Sequence, residues 1–572
     1  MKGIYSVLLK TTRVSCATHP GVKATTLLLC MATILVMVIF ATGFPLKVQA
    51  QSMPVLEADI LIRGGRIVDG TGSPWSQGDV AIKGDTITYV GSAPVRAKRT
   101  IDATGKVVAP GFFDMHSHSE FGLALDGRGL SKVTQGITTE ILGEHLSAGP
   151  VLGPAVDDPM MVTPPVKRTW TTLGGFFSFL QKKGIGPNIV SYVGAGQVRA
   201  SVMGYDNRTP TSAEMDQMKK LIVQAMHEGA FGLSAGFAYV PNSFFTVPEM
   251  IELNKVAASY GGIYSVHMRG GEAGLLETIQ IARGAHIPVE IFHIGVSIAR
   301  DPSFVRDIEQ ARSEGVDVTA NAYPYTVGWT YLRQLLPVWA QEGGIPATVA
   351  RLKEPETRAR IVKELQARQG RFAQWTISSA NLDFDGHTLQ QIGDRLRLSP
   401  EEAMVEVLIK QNGESFQIGP ANPDLEGAVA EGFKNSWVDI GSDGIALPAG
   451  VHTSFGRPHP RSFGSHTRIL ADYVRERRVL TLEEAVRKMT SQPAKRLGVS
   501  DRGLLRPGMK ADIVVFDPAT VRDTSTYAKP DQYSEGVEWV LINGTPVVAE
   551  ARPTNALPGK ILRGPGYKPG TP

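Results

Sequence analysis

The chain has 572 residues, of which 42% are apolar and 20% charged, a composition typical of a globular protein with a large domain and a smaller one. Its formal charge of +4 comes from the first 50 residues, which hold five basic residues and no acidic ones. The remainder has 54 basic and 55 acidic residues, a formal charge of about −1. The mature chain therefore has no basic excess to recruit nucleic acid or anionic lipid.

The N-terminal segment, residues 1–50, has the pattern of a signal peptide. Its uncharged stretch covers positions 24–46, and the apolar centre Leu27–Phe40 has the length of a signal-peptide core. Val48 and Ala50 supply the small residues expected before a cleavage site after Ala50. The segment therefore predicts an exported protein, periplasmic or secreted. The alternative is an uncleaved membrane anchor, because 23 uncharged residues are long enough to span a bilayer.

Both cysteines of the chain, Cys16 and Cys30, lie in this N-terminal segment. Once it is removed, the mature chain has no disulfide and no thiolate that could act as a nucleophile or a metal ligand. Any metal site must therefore be built from His, Asp and Glu.

Two β-rich pieces lie at opposite ends of the mature chain. Residues 56–109 read as short strands separated by Gly and Asp turns, and the same pattern returns over residues 496–552. We expect the two pieces to form one small β-sandwich, followed by a C-terminal tail over residues 553–572.

The long block between them, residues 110–495, alternates apolar strands with amphipathic helices. Runs such as PNIVSYVGAG, PVEIFHIG and VDVTANAYP are apolar throughout, and SAEMDQMKKLIVQAMHEG and ETRARIVKELQARQ have helical periodicity. Strands of this kind indicate a parallel sheet buried on both faces. The block is long enough for an α/β fold of the (β/α)8 TIM-like barrel type with insertions. The proline-rich residues 151–170 are predicted to form a loop over one barrel end, a candidate lid.

A pair of histidines, His116 and His118, begins the block in the segment PGFFDMHSH. Two residues apart on a strand, they would point to the same side and could chelate one metal ion. An HxH pair alone is a weak signal, because paired histidines also occur in ordinary loops.

Further polar residues end other apolar runs of the block. His267 ends GIYSVH, His293 ends PVEIFH and Asp443 ends WVDIGSD, so a barrel would deliver all three to its C-terminal rim. Any one of them has an ordinary explanation as a satisfied polar residue. Together with the HxH pair they predict a metal centre.

The segment TTEILGEH supplies a carboxylate that could bridge two metal ions and offset their mutual repulsion. Glu144 is the first candidate for this position and His145 is the competitor. Glu140, in the middle of the same strand, is interpreted as structural.

Six motifs follow one another between Glu57 and Arg552: PGFFDMHSH, GLSAGFAYVP, HMRGGE, NAYPY, GSDG and HPRSFG. In this order, and with the split β-sandwich, they resemble the D-aminoacylase (N-acyl-D-amino-acid deacylase) branch of the amidohydrolase superfamily. The resemblance covers nearly the whole mature chain.

The resemblance implies an enzyme that holds one or two zinc ions. It places the metal ligands on His116, His118, His267 and His293, and the catalytic aspartate on Asp443. Many members bind metal through a cysteine in the GEH segment. Since the mature chain has none, that role passes to Glu144, as in members with a glutamate there, or to His145.

Three substrate contacts are also implied by the resemblance: Tyr239, Tyr323 and Arg461. Arg461 would hold the substrate's α-carboxylate as a two-pronged donor. Two positions depart from the family pattern, because Gly295 replaces a common lysine and Trp329 replaces a common serine. These losses weaken the expectation of a simple N-acyl-D-amino acid and favour a bulkier or more aromatic substrate.

The mechanism implied is amide hydrolysis by a zinc-bound hydroxide. Coordination lowers the pKa of water from 15.7 to about 7. Asp443 would take the proton of the attacking water and pass it to the leaving amine, as base and then acid. The expected partner is a small-molecule amide, not nucleic acid, and a membrane only if the N-terminal segment stays uncleaved.

Several alternatives remain open on the same scaffold. A cyclic-amide hydrolase of the dihydroorotase or hydantoinase kind would use a carboxylated lysine as its metal bridge, yet no lysine between Gly143 and His267 stands convincingly at a predicted strand end. Those weighed for the role lie in loop or helical contexts: Lys167, Lys182, Lys183, Lys219 and Lys220. A dipeptidase or a lactonase would need the same residues as a deacylase. A metal-free binding protein would be expected to have lost them.

Overall fold

The structure, a computed structural model, describes residues 55–157, 166–368, 372–420, 422–451 and 456–570. The predicted signal segment 1–50, with Cys16 and Cys30, lies outside these ranges, and so does the central part of the predicted lid, 158–165. Within the described ranges, no helix combines the length and the apolar character needed to span a bilayer.

The strands, numbered in chain order, are β1 (Leu56–Ile67), β2 (Ser76–Lys83), β3 (Thr86–Gly91), β4 (Val95–Asp102), β5 (Val107–Pro110), β6 (Phe112–Asp114), β7 (Ile137–Leu142), β8 (Asn188–Ser191), β9 (Val193–Gly194), β10 (Gly232–Gly236), β11 (Ile263–His267), β12 (Val289–Ile291), β13 (Val318–Ala322), β14 (Trp329–Tyr331), β15 (Thr376–Ser378), β16 (Phe416–Ile418), β17 (Val438–Ile440), β18 (Ile513–Phe516), β19 (Val537–Ile542), β20 (Thr545–Ala549) and β21 (Arg552–Pro553).

The α-helices are α1 (Glu120–Leu125), α2 (Leu130–Val133), α3 (Leu173–Lys183), α4 (Ala195–Met203), α5 (Ser212–Glu228), α6 (Val247–Ser259), α7 (Gly271–Ala285), α8 (Gly295–Arg300), α9 (Ser303–Ser313), α10 (Gly344–Lys353), α11 (Pro355–Gln366), α12 (Leu389–Leu396), α13 (Pro400–Lys410), α14 (Glu426–Gly432), α15 (Arg461–Arg468), α16 (Leu482–Met489) and α17 (Ser491–Leu497).

Parallel strands form the wall of a barrel. The first sheet has the order β6-β7-β8 and the second the order β9-β10-β11-β12-β13-β17. Only Tyr192 separates β8 from β9, and its N–H donates to the Leu142 carbonyl at 2.9 Å, so the two segments occupy one strand position. All six residues of β7 are buried, as expected for a parallel strand covered on both faces.

The barrel closes where β17 meets the chain that follows β6. The Met115 N–H donates to the Ile440 carbonyl at 3.2 Å, and the His118 N–H donates to the Gly444 carbonyl at 2.9 Å. Eight strand positions thus form a closed ring, which confirms the predicted (β/α)8 TIM-like barrel.

Both ends of the chain contribute to one further sheet, which confirms the predicted β-sandwich component. Its path is β21-β20-β19-β18-β5-β1-β2-β3, with β4 pairing to β1. Strand β5 pairs with β1 on one side and with β18 on the other. The sheet bends around its own apolar core, which includes Ile62, Val80, Ile101, Ile513 and Leu541. The exact domain boundaries drawn from the sequence stay predictions.

An insertion between β13 and β17 builds a small subdomain over the barrel. It contains the three-stranded sheet β14-β16-β15 and the helices α10 to α13. Its core is separate from that of the barrel and includes Leu352, Ile361 and Leu408. The helix predicted from ETRARIVKELQARQ is α11, but it packs in this subdomain instead of the barrel wall.

The C-terminal tail follows β8 on the barrel. The Ile189 N–H donates to the Lys560 carbonyl at 2.9 Å, and the Leu562 N–H donates to the Ile189 carbonyl at 2.8 Å. The tail therefore extends the contact between the two chain ends and the barrel.

A buried ion pair joins the sheet to the barrel. Asp512, just before β18, pairs with Arg502, and both side chains are 2% exposed. The carboxylate also accepts hydrogen bonds from the Asn188 side chain on β8 (3.0 Å) and from the Asn543 N–H (2.7 Å). Burial raises the pKa of Asp512 despite the charge of Arg502. The ionised carboxylate is therefore stabilised by all of these donors together.

We expect Asp512→Ala to lower the free energy of unfolding by about 3 to 5 kcal/mol, because it removes the buried partner of the Arg502 charge and leaves only the half-exposed Asp501 beside it. Asp501→Ala is the matched control: Asp501 also pairs with Arg502, at 3.0 Å, but its side chain is 49% exposed, and its loss should cost about 1 kcal/mol or less. Urea unfolding monitored by circular dichroism measures both, and equal losses would contradict the role of Asp512.

Candidate metal centre

The predicted metal ligands and the predicted catalytic aspartate all lie at the C-terminal ends of barrel strands. His267 is the last residue of β11, His293 lies two residues after β12, and Asp443 lies three residues after β17. Glu144 follows β7 in the same way. One rim of the barrel thus collects side chains that are far apart in the sequence.

His116 and His118 lie just beyond their strand, not within it. Strand β6 ends at Asp114, so the two histidines do not face one side because of strand alternation. Their rings lie 5.0 Å apart, centre to centre, and both approach the same carboxylate. The two histidines therefore lie side by side as predicted, but strand alternation is not the reason.

The first group of ligand atoms combines His116, His118, Glu144 and Asp443. The Nε2 atoms of His116 and His118 lie 2.9 and 2.7 Å from Glu144 Oε2. His118 Nε2 also lies 3.1 Å from Asp443 Oδ1. One ligand atom from each of the four residues lies within 4.8 Å of all the others.

The second group combines Glu144, His267 and His293. Glu144 Oε1 lies 3.2 Å from His267 Nδ1, and His293 Nε2 lies 2.9 Å from the same nitrogen. Glu144 therefore turns one oxygen to each group. Imidazole nitrogens and carboxylate oxygens are the donors that zinc prefers, so the donor set fits one or two such ions.

The bridging position favours Glu144 over His145. Glu144 belongs to both groups of ligand atoms, whereas His145 belongs to neither. His145 Nδ1 is 3.8 Å from Glu144 Oε1, and its ring stacks on Tyr239 with the centroids 4.4 Å apart.

Charges in the cluster shift the pKa values of its members. Burial lowers the pKa of His118, but the charges and hydrogen bonds of Glu144 and Asp443 together outweigh it and raise the value to about 10. Burial and the charge of His267 lower the pKa of His293 to about 3. Burial raises the pKa of Asp443, but the nearby charges, with Arg461 first and His116 next, lower it by more. The pKa of this carboxyl therefore lies below its ordinary value, and the group is ionised.

A buried polar network lies beneath the cluster, on the side of the barrel core. Lys132 Nζ donates to Asp114 Oδ2 at 2.8 Å and to Ser442 Oγ at 2.7 Å. The Ser442 N–H donates to Asp114 Oδ1 at 2.6 Å. The network ties the end of β6, which precedes the two histidines, to the end of β17, which precedes Asp443. Sequence reasoning missed Lys132 and Ser442, although Asp114 and Ser442 stand inside motifs that it singled out.

Glu140 lies in the same buried region and has a structural environment, as interpreted from the sequence. Its Oε2 accepts the hydroxyls of Ser117 and Ser119. These bonds hold the turn between His116 and α1.

A cavity beside the cluster contains two of the three predicted substrate contacts, Tyr239 and Arg461. Arg461 is 2% exposed, and its Nη1 lies 2.8 Å from Asp443 Oδ2. Its guanidinium carbon lies 4.9 Å from the centre of the Tyr323 ring, which does not itself line the cavity. The arginine expected to bind substrate is thus already paired with the predicted catalytic carboxylate.

Of the two departures from the family pattern, Trp329 lines this cavity and Gly295 does not. Gly295 contributes no side chain, and a Cβ added there would lie 3.1 Å from Ala322 Cβ. Trp329 lines the cavity and packs on Phe416, with ring centroids 4.5 Å apart. Phe121, Leu146 and Ile445 also contribute apolar surface.

The five lysines weighed for a carboxylated-lysine bridge lie away from the strand ends. They are found in α3, in α5 and in the loop before α3: Lys182 and Lys183, Lys219 and Lys220, and Lys167. Among the described residues, the carboxylate that joins the two ligand groups is that of Glu144.

Comparison with known proteins points to one family. The sequence profile of the amidohydrolase family matches residues 99–548. Over 533 residues the chain is 32% identical to a D-aminoacylase of Alcaligenes xylosoxydans xylosoxydans, an alignment that covers 90% of this chain and 99% of that protein. It is 31% identical over 516 residues to an N-acyl-D-glutamate deacylase of the same organism, covering 88% of this chain and 96% of that protein.

A solved structure has the same fold. The N-acyl-D-glutamate deacylase of Bordetella bronchiseptica, complexed with zinc and a phosphonate inhibitor that mimics the tetrahedral intermediate, superimposes with a TM-score of 0.74. The match covers 89% of this chain and all of that chain, at 31% identity.

We expect the purified chain to bind divalent metal at both groups and Glu144→Ala to lose at least one ion per chain, because this carboxylate is shared between the groups. His286→Asn is the control, since this exposed histidine at the end of α7 lies outside both groups. Inductively coupled plasma mass spectrometry after zinc loading gives the stoichiometry. Full occupancy in Glu144→Ala would show that the carboxylate is not a ligand.

Proposed function

Because the chain belongs to the amidohydrolase family, we propose that it is an exported, zinc-dependent enzyme that deacylates N-acyl-D-amino acids or related N-acyl compounds. The observation that carries the proposal is the position of Glu144, whose two oxygens face two separate sets of imidazole nitrogens. The near full-length similarity to enzymes named D-aminoacylase and N-acyl-D-glutamate deacylase supports the substrate class.

The two ligand groups define which residues would hold zinc. One ion would be held by His116, His118, Glu144 and Asp443, and a second by Glu144, His267 and His293, the members of the two groups. When bound, zinc supplies polarisation of the amide carbonyl and lowers the pKa of a water molecule from 15.7 to about 7.

In this proposal, Asp443 moves the proton. Its Oδ1 faces the cluster beside His118, and its Oδ2 is held by Arg461 at 2.8 Å. An ionised carboxylate in this position can accept the proton of the attacking water and return it to the amine nitrogen as the C–N bond breaks. Arg461 fixes the orientation of the carboxylate.

The apolar walls of the cavity assist by excluding bulk water. Trp329, Phe416 and Ile445 border the space next to Asp443 and Arg461. In such a setting, the charges of the site act more strongly on the substrate than they would in water.

Export is the second part of the proposal, and the sequence supports it. The uncharged stretch at positions 24–46 and the small residues Val48 and Ala50 fit a signal peptide cleaved after Ala50. Removal of this segment leaves a mature chain without cysteine, which suits an oxidising compartment.

The substrate class is tested by incubating the zinc-loaded enzyme with N-acetyl-D- and N-acetyl-L-amino acids, and with a hydantoin and a lactone. We expect release of free D-amino acid, which chelator abolishes and zinc restores. Asp443→Asn should lower kcat by about 10²- to 10⁴-fold while zinc still binds. Turnover of the hydantoin alone would assign the enzyme to ring opening instead.

The export proposal predicts that the mature protein begins at Gln51. Expression of the full chain in a Gram-negative host, followed by fractionation and N-terminal sequencing, should find this end in the periplasmic fraction. A lysine at position 35, in the apolar centre of the segment (Leu35→Lys), should retain the protein in the cytoplasm, because a charge there disrupts the signal. A full-length chain extracted from the membrane would support the anchor instead.

A further inference from the structure

His145 has an unusual backbone conformation for a buried side chain. Its φ is +32°, a region that residues other than glycine seldom occupy, and the residue is 3% exposed. Two glycines clear the space around it. A Cβ at Gly236 would lie 2.6 Å from His145 Cβ, and a Cβ at Gly194 would lie 2.4 Å from the His145 carbonyl oxygen. Strained residues of this kind concentrate at functional sites.

The His145 ring has hydrogen-bonding capacity that the described protein does not use. Nδ1 and Nε2 are both buried and have no hydrogen-bond partner among the described residues. A neutral imidazole carries one donor and one acceptor, and leaving them unpaired in the interior costs free energy. His145 is also absent from both groups of metal-ligand atoms, so a metal ion does not account for it.

The ring lines the same cavity as Arg461 and Asp443. Stacking on Tyr239, at 4.4 Å between centroids and 23° between planes, fixes its orientation. The only Lys or Arg among the described cavity-lining residues is Arg461, and Asp443 already shares its charge. A substrate carboxylate in this cavity therefore needs a further donor.

We propose that the imidazole of His145 donates a hydrogen bond to the α-carboxylate of the substrate, beside Arg461. This inference rests on the proposed deacylase function. It explains why a histidine occupies a position whose backbone suits glycine, and it gives the carboxylate a donor besides Arg461 and the Trp329 indole N–H, which is also buried without a partner among the described residues.

The test compares His145→Gly with His145→Asn, using N-acetyl-D-leucine and its carboxamide as substrates. Glycine fits the backbone and removes the donor, whereas asparagine tolerates a positive φ and keeps one. The matched control is His286→Gly, because His286 is also at positive φ, +51°, but is exposed at the end of α7.

We expect His145→Gly to raise KM for the carboxylate substrate about 10- to 100-fold, the range for a hydrogen bond to a charged group. Its kcat and zinc content should stay at the wild-type values, since the lost contact is a binding contact, whereas its Tm should fall because the buried ring that stacks on Tyr239 is removed. KM for the carboxamide should change much less. His145→Asn should restore part of the affinity, and His286→Gly should leave both constants unchanged.

Three results would overturn the inference while the proposed function stands: an unchanged KM in His145→Gly, an equal rise for carboxylate and carboxamide, or a loss of zinc, which would make His145 a ligand. A wild-type enzyme that hydrolyses none of the N-acyl-D-amino acids overturns the proposed function itself, and the inference with it.

Discussion

The seam where the barrel closes determines the position of the functional groups. At this seam, the buried network of Asp114, Lys132 and Ser442 joins the end of β6 to the end of β17 across more than 300 residues of sequence. The histidine pair leaves β6 directly above the network, and Asp443 leaves β17 beside it. If the network were lost, the two halves of the first ligand group would no longer have a fixed separation, and Arg461 could not orient the carboxylate of Asp443.

The sequence predicted the parts of the site that depend on local pattern. His267, His293 and Asp443 each follow an apolar run, which marks the end of a buried strand. A polar side chain costs free energy inside a buried strand and much less just beyond it, so such residues indicate where the strand leaves the core. The GEH segment likewise pointed to Glu144. Partners brought together by tertiary folding gave no local signal: the pairing of Lys132 with Asp114, and of Arg461 with Asp443, requires knowledge of which strands are neighbours.

Other features depend on backbone geometry that periodicity does not encode. The insertion after β13 has helical and apolar patterns like those of the barrel, so the helix α11 was predicted correctly but assigned to the wrong layer. Positive φ values at His145, His293 and Asp443 show that the rim is strained where it carries function. A rigid barrel can hold such residues because its core, and not the rim, supplies the stability.

We expect the cluster around Glu144 to be pre-formed and to hold the metal. Anomalous diffraction from crystals of the zinc-loaded protein, collected above and below the zinc absorption edge, tests it most directly. We expect an anomalous peak between His116, His118 and Glu144 Oε2, with a second beside Glu144 Oε1, His267 and His293. Crystals that show no zinc peak within bonding distance of Glu144 would contradict the claim.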